Sequence, residues 1–264
     1  MKKLILAIAL ITIMLSAGLL AGCDRVLISE KSGPETSRDY EFTDFTGIDI
    51  GNAFELEVTY ADTYKVTITA GQNVLDRIKV SKMGDTLQID MDDWFFFWHS
   101  TPKARITMPV LKELDCSGAT EVNVKGFRSA EDFTLSLSGA SHLDIDMETG
   151  DFDAEISGAS KLIGYLKTAN SDIEFSGASE VKLTGSAGDL MLDGSGASHA
   201  GLSGFAVNDA DIELSGASHA EADVSGKMDV ALSGASSLEY SGNPTIGRVD
   251  ITGASSMEEK EGGE

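Results

Sequence analysis

Residues 157–179 read SGASKLIGYLKTANSDIEFSGAS, and this stretch contains one complete repeat of the chain with the start of the next. A Ser-Gly-Ala-Ser tetrad is followed by two short segments of alternating apolar and polar residues, and then by the next tetrad. Tetrads of the form Ser/Thr-Gly-Ala-Ser/Thr begin at Ser117, Ser138, Ser157, Ser176, Ser195, Ser215, Ser233 and Thr252. Successive tetrads lie 18 to 21 residues apart. A regular repeat in this range is typical of a solenoid, in which every repeat forms one coil.

Each repeat is predicted to contain two strands, because apolar residues alternate with polar ones on both sides of the tetrad. Leu143 and Ile145 follow the second tetrad, and Ala154 and Ile156 precede the third. Alternation with a period of two indicates half-buried strands. One repeat cannot bury its apolar face alone, whereas stacked repeats can. The sequence therefore predicts an all-β fold: a single-stranded parallel β-helix (β-solenoid) of about 19-residue coils with two sheets.

The tetrad is predicted to form a corner of the coil. Glycine adopts backbone conformations there that other residues adopt only at a cost. Alanine is small enough to stack inside the corner, and the hydroxyl groups can bond to the turn backbone or to one another. Eight copies of a serine-bearing tetrad indicate architecture rather than nucleophiles, because a catalytic serine occurs once and works with a base.

The first residues have the order of a secretory signal peptide. Lys2 and Lys3 precede an apolar run that ends at Leu20-Ala21-Gly22-Cys23. Small residues before a cysteine resemble a bacterial lipobox, which implies that Cys23 is lipidated and becomes the first residue of the mature chain. A transmembrane anchor is the alternative, but this run is shorter than the ~20 apolar residues that span a bilayer. We expect an exported chain that is lipid-anchored to the cell membrane and faces the periplasm or the cell surface.

The sequence pattern divides the chain into five parts. Residues 1–22 are the signal peptide, and residues 23–39 lack periodicity and are predicted to be a tether. Residues 40–115 alternate in short segments and are predicted to be a β-rich segment continuous with the solenoid, with one helical turn near residues 73–78. Residues 116–257 are the repeat array. Residues 258–264 are an acidic tail.

The chain is strongly acidic, with 43 acidic and 20 basic residues and a formal net charge of −23. Such a surface argues against nucleic acid, which is bound through basic patches, and against adhesion to anionic lipid headgroups. Basic partners and divalent cations remain as ligand classes. Cys116 is the one cysteine left after the anchor residue, so the exported chain has no intramolecular disulfide. Its place in an apolar column predicts a buried core thiol.

The tetrad array, the lipobox at Cys23 and the β-rich segment before the array together resemble the family of putative auto-transporter adhesins known as the head GIN domain. The resemblance extends from about Phe45 to Ser256. It implies a parallel β-helix whose glycine turns join two sheets, a shape shared with pectin-lyase-like folds. The family supplies no catalytic set, so the resemblance assigns no catalytic residue.

Carboxylates recur at two outward positions, four and two residues before the tetrads. The members that would form a continuous strip are Asp153, Glu155, Asp172, Glu174, Asp193, Asp211 and Glu213. Neighbouring rungs lie ~4.8 Å apart, and like charges directly opposite each other destabilise a sheet. Bound cations such as calcium, which takes several oxygen ligands, would offset the repulsion; a basic partner would do the same. The alternative is a solvated acidic face that only keeps the protein soluble.

Two further groups of residues are candidate sites. His199 and His219 would be neighbours on adjacent coils with Glu221 close by, and such a set could hold zinc; two surface histidines without metal are the alternative. An aromatic run follows the β-rich alternation at Trp94, Phe95, Phe96, Phe97 and Trp98. It would either cap the open end of the solenoid or present a contact patch to a protein, a glycan or a membrane interface.

Three functions compete on these observations. The first is a non-enzymatic envelope protein for adhesion or surface binding. The second is an envelope-stress accessory lipoprotein that docks to a membrane partner. The third is a polysaccharide-processing β-helix enzyme, which would need a basic residue beside carboxylate-bound calcium. The acidic columns contain one arginine, Arg248, near the C-terminal end, so the sequence favours a non-enzymatic protein.

Overall fold

The computed structural model describes residues 33–91 and 101–260, which lie within the compact unit Ser32–Glu264. They form 23 strands and one short helix, α1 (Gln72–Leu75). The strands before the repeat array are β1 (Glu35–Tyr40), β2 (Gly47–Ile50), β3 (Glu55–Tyr60), β4 (Lys65–Gly71), β5 (Ile78–Met83), β6 (Thr86–Met91), β7 (Lys103–Met108) and β8 (Glu113–Cys116). The strands of the array are β9 (Glu121–Arg128), β10 (Phe133–Leu137), β11 (His142–Glu148), β12 (Phe152–Ile156), β13 (Lys161–Lys167), β14 (Asn170–Phe175), β15 (Glu180–Ser186), β16 (Asp189–Gly194), β17 (His199–Val207), β18 (Asp209–Leu214), β19 (His219–Val224), β20 (Lys227–Leu232), β21 (Ser237–Gly242), β22 (Thr245–Ile251) and β23 (Ser256–Glu259).

The strands form two sheets. Sheet A has 12 strands in the order β1-β4-β7-β3-β9-β11-β13-β15-β17-β19-β21-β23, and sheet B has 11 in the order β22-β20-β18-β16-β14-β12-β10-β8-β2-β6-β5. From β8 onward, successive strands alternate between the two sheets, and each pairs in parallel with the equivalent strand of the next coil, as β12 does with β14. The predicted β-solenoid with coils of about 19 residues is confirmed.

The tetrad corner explains why glycine recurs at its second position. All eight tetrad glycines have a left-handed φ, between +73° and +80°. The corners also stack through the backbone, since the Ala178 N–H donates to the Gly158 carbonyl oxygen of the preceding coil at 2.7 Å. A Cβ on Gly177 would lie 2.5 Å from that same oxygen. Both the backbone angle and the close stacking therefore require glycine.

The residue inside the corner is the fourth of the tetrad, not the alanine that the sequence analysis placed there. Ala159 and Ala178 are exposed, whereas Ser160 and Ser179 are buried. The Ser179 hydroxyl donates to the carbonyl oxygen of Ser176, the first residue of its own tetrad, at 2.9 Å. The same bond is made by Ser141, Ser198, Ser218 and Ser236. These hydroxyls satisfy the turn backbone, as expected, and they do so from the inside.

The core is a stack of apolar side chains between the sheets. Phe133 and Phe152 lie on successive coils with ring centroids 5.8 Å apart. Gly194 stands in the inward column between Phe175 and Leu214. A Cβ at Gly194 would lie 2.5 Å from Cζ of Phe175, so this glycine makes room for the ring. Cys116 is fully buried in the same column, which confirms the predicted core thiol.

The part before the array follows a different path. Strand β2 pairs in parallel with β6 on one side and β8 on the other, and β3 pairs likewise with β7 and β9. The coil of β6 and β7 is therefore the outer neighbour of the coil of β2 and β3, although it comes later in the chain. Asn52 takes the place of the tetrad glycine, with φ +68°, and its carbonyl accepts the Ala119 N–H at 2.6 Å. Residues 51–54 (GNAF) thus form a ninth, degenerate tetrad.

Strands β1 and β5 are the outermost strands of their sheets at this end, and each pairs antiparallel with its neighbour. Residues 35–39, which were predicted to belong to the tether, are instead part of β1, because their backbone pairs with β4 between Glu35–Gly71 and Asp39–Thr67. The predicted helical turn is α1, whose Val74 and Leu75 are buried. At the other end, β23 reaches into the predicted acidic tail as far as Glu259. Among the described residues, no helix is long and apolar enough to span a bilayer.

Candidate functional site: the acidic face of sheet B

The outward side of sheet B stacks carboxylates in register across four coils. Asp153 lies opposite Asp172, and Glu155 lies opposite Glu174. On the following strands, Glu174 lies opposite Asp193. We call the seven carboxylates of this strip the acidic face: Asp153, Glu155, Asp172, Glu174, Asp193, Asp211 and Glu213. The structure therefore brings together all seven residues that the sequence pattern singled out.

Among the described residues, a basic side chain lies near one end of the acidic face. Arg248 Nη2 lies 3.9 Å from both Asp211 Oδ1 and Glu213 Oε1. Within residues 33–91 and 101–260, no ion pair reaches the other five members, from Asp153 to Asp193. The neighbouring Lys227 is bound to Asp229 at 2.6 Å. The central part of the face thus combines closely stacked negative charges with no basic partner among the described residues.

The protonation equilibria of the acidic face reflect this crowding. Partial burial raises the pKa of Asp172 above its usual value, and the charge of Asp153 raises it further. Burial also raises the pKa of Asp193, with additional contributions from Glu213 and Glu174. Asp172 Oδ1 is enclosed and has no hydrogen-bond partner within the described part of the chain. The face therefore favours any ligand that brings positive charge or hydrogen-bond donors.

Two grooves follow the acidic face along the stacking direction. One, of about 340 Å³, lies beside the tetrad corner and combines Glu155, Glu174, Asp193 and Glu213 with the first residue of the last five tetrads. The other, of about 540 Å³, lies beside the opposite corner and includes the remaining members of the face. Both grooves are open surfaces that cross several coils, and apolar as well as polar side chains line them.

A ladder of Asp and Asn side chains at the second corner was missed by the sequence analysis. The Asp151 N–H donates to Asp132 Oδ1 at 2.9 Å, and Asn170 Nδ2 donates to Asp151 Oδ1 at 2.9 Å. The Asp189 N–H continues the ladder to Asn170 Oδ1 at 3.3 Å. A signal was present, because these residues all stand six positions before a tetrad. The ladder satisfies the turn backbone, so these carboxylates are structural.

The histidine pair forms as predicted but does not converge on a metal. His199 lies opposite His219, and their rings stack with centroids 5.0 Å apart and planes inclined by 14°. The His219 Nδ1 is 2.7 Å from the Ser237 hydroxyl, while Lys260 lies 3.3 Å from Glu221. Stacked rings direct their nitrogen lone pairs side by side, whereas a tetrahedral zinc needs ligands that converge. Zinc binding here stays a prediction that the geometry does not support.

No group of three or more His, Cys, Asp or Glu side chains within the described ranges has the arrangement of a metal site. This applies to the acidic face as well as to the histidines, because the carboxylates are spread along a ladder rather than gathered around a point. The predicted calcium ion therefore has no discrete cage among these residues. Cys23 and the aromatic run from Trp94 to Trp98 lie outside the described residues.

Comparison with known proteins gives one family match and several solved structures of similar fold. The sequence model of the family described as "Putative auto-transporter adhesin, head GIN domain" matches residues 44–244. A putative lipid binding protein from Parabacteroides distasonis is similar in structure, with a TM-score of 0.80 at 16% identity over 88% of this chain and 98% of that one. A putative adhesin from Parabacteroides merdae has a TM-score of 0.79 at 17% identity, over 87% of this chain and 98% of that one. A putative adhesin from Bacteroides fragilis has a TM-score of 0.67 at 20% identity, over 87% of this chain and 99% of that one. No curated protein matches the chain.

Proposed function

Since the chain belongs to the family of putative auto-transporter adhesins with a head GIN domain, we propose that it is a non-enzymatic surface-binding protein of the cell envelope. The signal-peptide order and the lipobox at Cys23 support export and a lipid anchor. Two of the similar solved structures carry the description of adhesins, which agrees with surface binding. Neither the family nor these structures give support to an envelope-stress role.

The contact surface in this proposal is the acidic face of sheet B. The observation that carries it is the stack of five carboxylates, from Asp153 to Asp193, that no basic side chain of the described residues neutralises. Such a surface raises the local concentration of positive charge and steers cationic partners toward it. The repulsion within the ladder is relieved when a partner binds, so binding gains free energy that an isolated carboxylate would not supply.

The partner class that fits is a protein surface rich in lysine or arginine. A single divalent ion needs several oxygen ligands around one point, and the ladder offers its oxygens along a line instead. Rungs ~4.8 Å apart can each accept an ammonium or guanidinium group. The fourth-position hydroxyls of the tetrads serve the fold, because serines such as Ser179 donate to turn carbonyls such as that of Ser176.

Binding of a lysine-rich peptide to the full chain in detergent tests the proposal. The variant Asp172→Asn/Glu174→Gln removes two charges from the centre of the acidic face. The control Glu121→Gln/Asp144→Asn removes two charges from exposed positions of sheet A. We expect the first variant to weaken binding by about 10-fold, at roughly 0.5–1 kcal/mol for each charge pair, and to lower the salt dependence. Equal losses in both variants would show attraction to net charge only and would contradict a defined contact surface.

A further inference from the structure

The last coil of the solenoid leaves its apolar side uncovered. Ile246, Val249 and Ile251 on β22 are 42%, 44% and 41% exposed. One coil earlier, the equivalent strand β20 has Leu232 at 1% exposure and Val230 at 0%. The side chains of β22 occupy the same inward columns, so their exposure arises because no further coil of the described residues packs on them. The terminal coil, residues 245–260, therefore presents a strip of core side chains to its surroundings.

The backbone of the terminal coil is paired on one side. Among the described strands, β22 pairs with β20 and β23 pairs with β21, and neither has a second neighbour, so both are edge strands. Edge strands with free N–H and C=O groups are templates for pairing with another chain. The bulge in β22 where Gly247 and Arg248 face β20 disturbs the first half of the strand and leaves Val249 to Ile251 regular. Residues 261–264, EGGE, contain no apolar side chain that could cover the strip.

At the opposite end of the described solenoid, β1 and β5 are edge strands too, but that end is closed over its core side chains, which limits the candidate partners. There, Val74 and Leu75 of α1 are buried at 0% and 1% exposure. Strands β4 and β5 pair antiparallel with their neighbours β7 and β6. Among residues 33–91 and 101–116, that end offers no strip of exposed core side chains to match the terminal coil. A head-to-tail stack would place the apolar strip against this end, where the described core side chains are already covered. A second terminal coil instead offers an identical apolar strip.

The terminal strand is also complementary in charge to its own reversed copy. Arg248 and Asp250 flank Val249 and point outward, because they alternate with the inward column. An antiparallel pairing centred on Val249 sets Arg248 of each copy opposite Asp250 of the other, and such opposite-charge pairs stabilise a sheet. Residues 245–260 contain two basic and three acidic residues, so two of these coils meet with little net repulsion.

We propose that the terminal coil is a self-association surface on which a second copy of this chain docks end to end, with β22 antiparallel to its counterpart. A two-fold axis through Val249 and across the sheets pairs β22 with β22 and β23 with β23 at the same time. The contact is isologous and closed, so it yields a dimer rather than a fibre. The two apolar strips then form one continuous core. This inference does not depend on the acidic face or on the proposed ligand.

Sedimentation of the full chain in a mild detergent, at one micromolar concentration, gives the first test. Ile251→Lys places a charge in the apolar strip, and the dimer is lost. The control Met191→Lys changes an exposed apolar residue in the middle of sheet B, and the dimer is retained. Circular dichroism verifies that both variants stay folded. A parent chain that sediments as a monomer overturns the proposal, as does a dimer that survives Ile251→Lys.

Charge reversal and cross-linking test the antiparallel register. Arg248→Asp is expected to weaken the dimer at least 10-fold, and Arg248→Asp combined with Asp250→Arg restores it. Val249→Cys gives a disulfide-linked dimer under mild oxidation, because residues directly opposite each other lie within disulfide range. Met83→Cys, at an exposed position near the closed end, stays monomeric on the same gel. A disulfide between Val249→Cys and Met83→Cys chains, when the two are mixed, indicates head-to-tail stacking and overturns the two-fold arrangement.

Discussion

The two regions of the solenoid, residues 33–116 and residues 117–260, build the same corner by different means. In the array, eight glycines with left-handed φ stack one above the other. In the earlier region, Asn52 takes this conformation, and its carbonyl accepts the same hydrogen bond from the next coil. Asparagine is one of the few residues other than glycine that tolerates this backbone angle. The coil therefore depends on the corner conformation and its stacking, and the sequence repeat is one way to encode them.

The largest expected effect separates stacking from backbone strain. Gly177→Val, in a middle corner, should lower the free energy of unfolding by at least about 3 kcal/mol, because a left-handed valine is strained and its Cβ would meet Gly158 O at 2.5 Å. Gly84→Val is the matched control in the earlier region, with φ +60° but nothing within 4 Å of the new Cβ. Urea unfolding of both variants measures the difference. Equal losses would mean that corner stacking contributes nothing beyond the angle.

The array could be predicted from sequence because every coil repeats the same residue types at the same positions. The inward columns, the tetrad corner and the acidic face from Asp153 to Glu213 all follow from that spacing. The earlier region could not be predicted in the same way, since the coil of β6 and β7 carries no tetrad and lies outside the coil that precedes it in the chain. No local sequence pattern indicates that a coil lies outside the one that precedes it in the chain.

Within the array, the misassigned or missed features depend on directions that spacing does not encode. The tetrad alanine faces outward and the fourth residue inward, and both follow a glycine whose left-handed conformation redirects the chain. His199 and His219 were expected to be neighbours, but their stacking depends on side-chain rotamers. Asp151 and Asn170 each stand six positions before a tetrad, which is a sequence signal for the ladder. The outward columns of acidic residues, four and two positions before the tetrads, do not include this position.

A second prediction concerns size rather than conformation within the array. Gly194→Leu should destabilise the fold by about 1–3 kcal/mol, the usual cost of overpacking a core, because its side chain would meet both Phe175 and Leu214. Phe175→Leu alone should also destabilise, by leaving a gap. The double variant should recover part of the loss, which a double-mutant cycle of urea unfolding measures. Strictly additive losses would show that Gly194 does not serve to accommodate the ring.

A third prediction tests whether the two kinds of corner are equivalent. Asn52→Ala should lower the free energy of unfolding by about 1 kcal/mol, because alanine lacks the tolerance of asparagine for a positive φ. Asn52→Gly should be neutral or slightly stabilising in thermal unfolding, since glycine stands at this position in every tetrad. A loss of stability in Asn52→Gly comparable to that in Asn52→Ala would show that the side chain of Asn52, rather than its backbone angle, holds the first corner.

The smallest expected effect is electrostatic, and it should be the same in both regions. Burial raises the pKa of Asp115 in the earlier region, with a contribution from Asp49, as it raises that of Asp193 in the array. Such a carboxyl has a higher pKa in the folded state than in the unfolded state. Its contribution to stability is fully present below the unfolded-state pKa of about 3.8 and is lost as the pH rises through the folded-state pKa. Asp115→Asn and Asp193→Asn should therefore each stabilise the protein at pH 7, by roughly 0.2–1 kcal/mol, and have no effect below the unfolded pKa.

Asp229 provides the control of opposite sign on the same sheet. Its hydrogen bond from Lys227 lowers its pKa, and a bond from the Arg248 N–H adds to this. Its contribution to stability is therefore present above the unfolded pKa and is lost as the pH falls through the folded value. Asp229→Asn should destabilise the protein at pH 7 and lose its effect in acid. Urea unfolding between pH 3 and pH 7 measures all three variants. A stabilising Asp229→Asn, or a destabilising Asp115→Asn at pH 7, would show that packing rather than charge decides the stability of sheet B in that region.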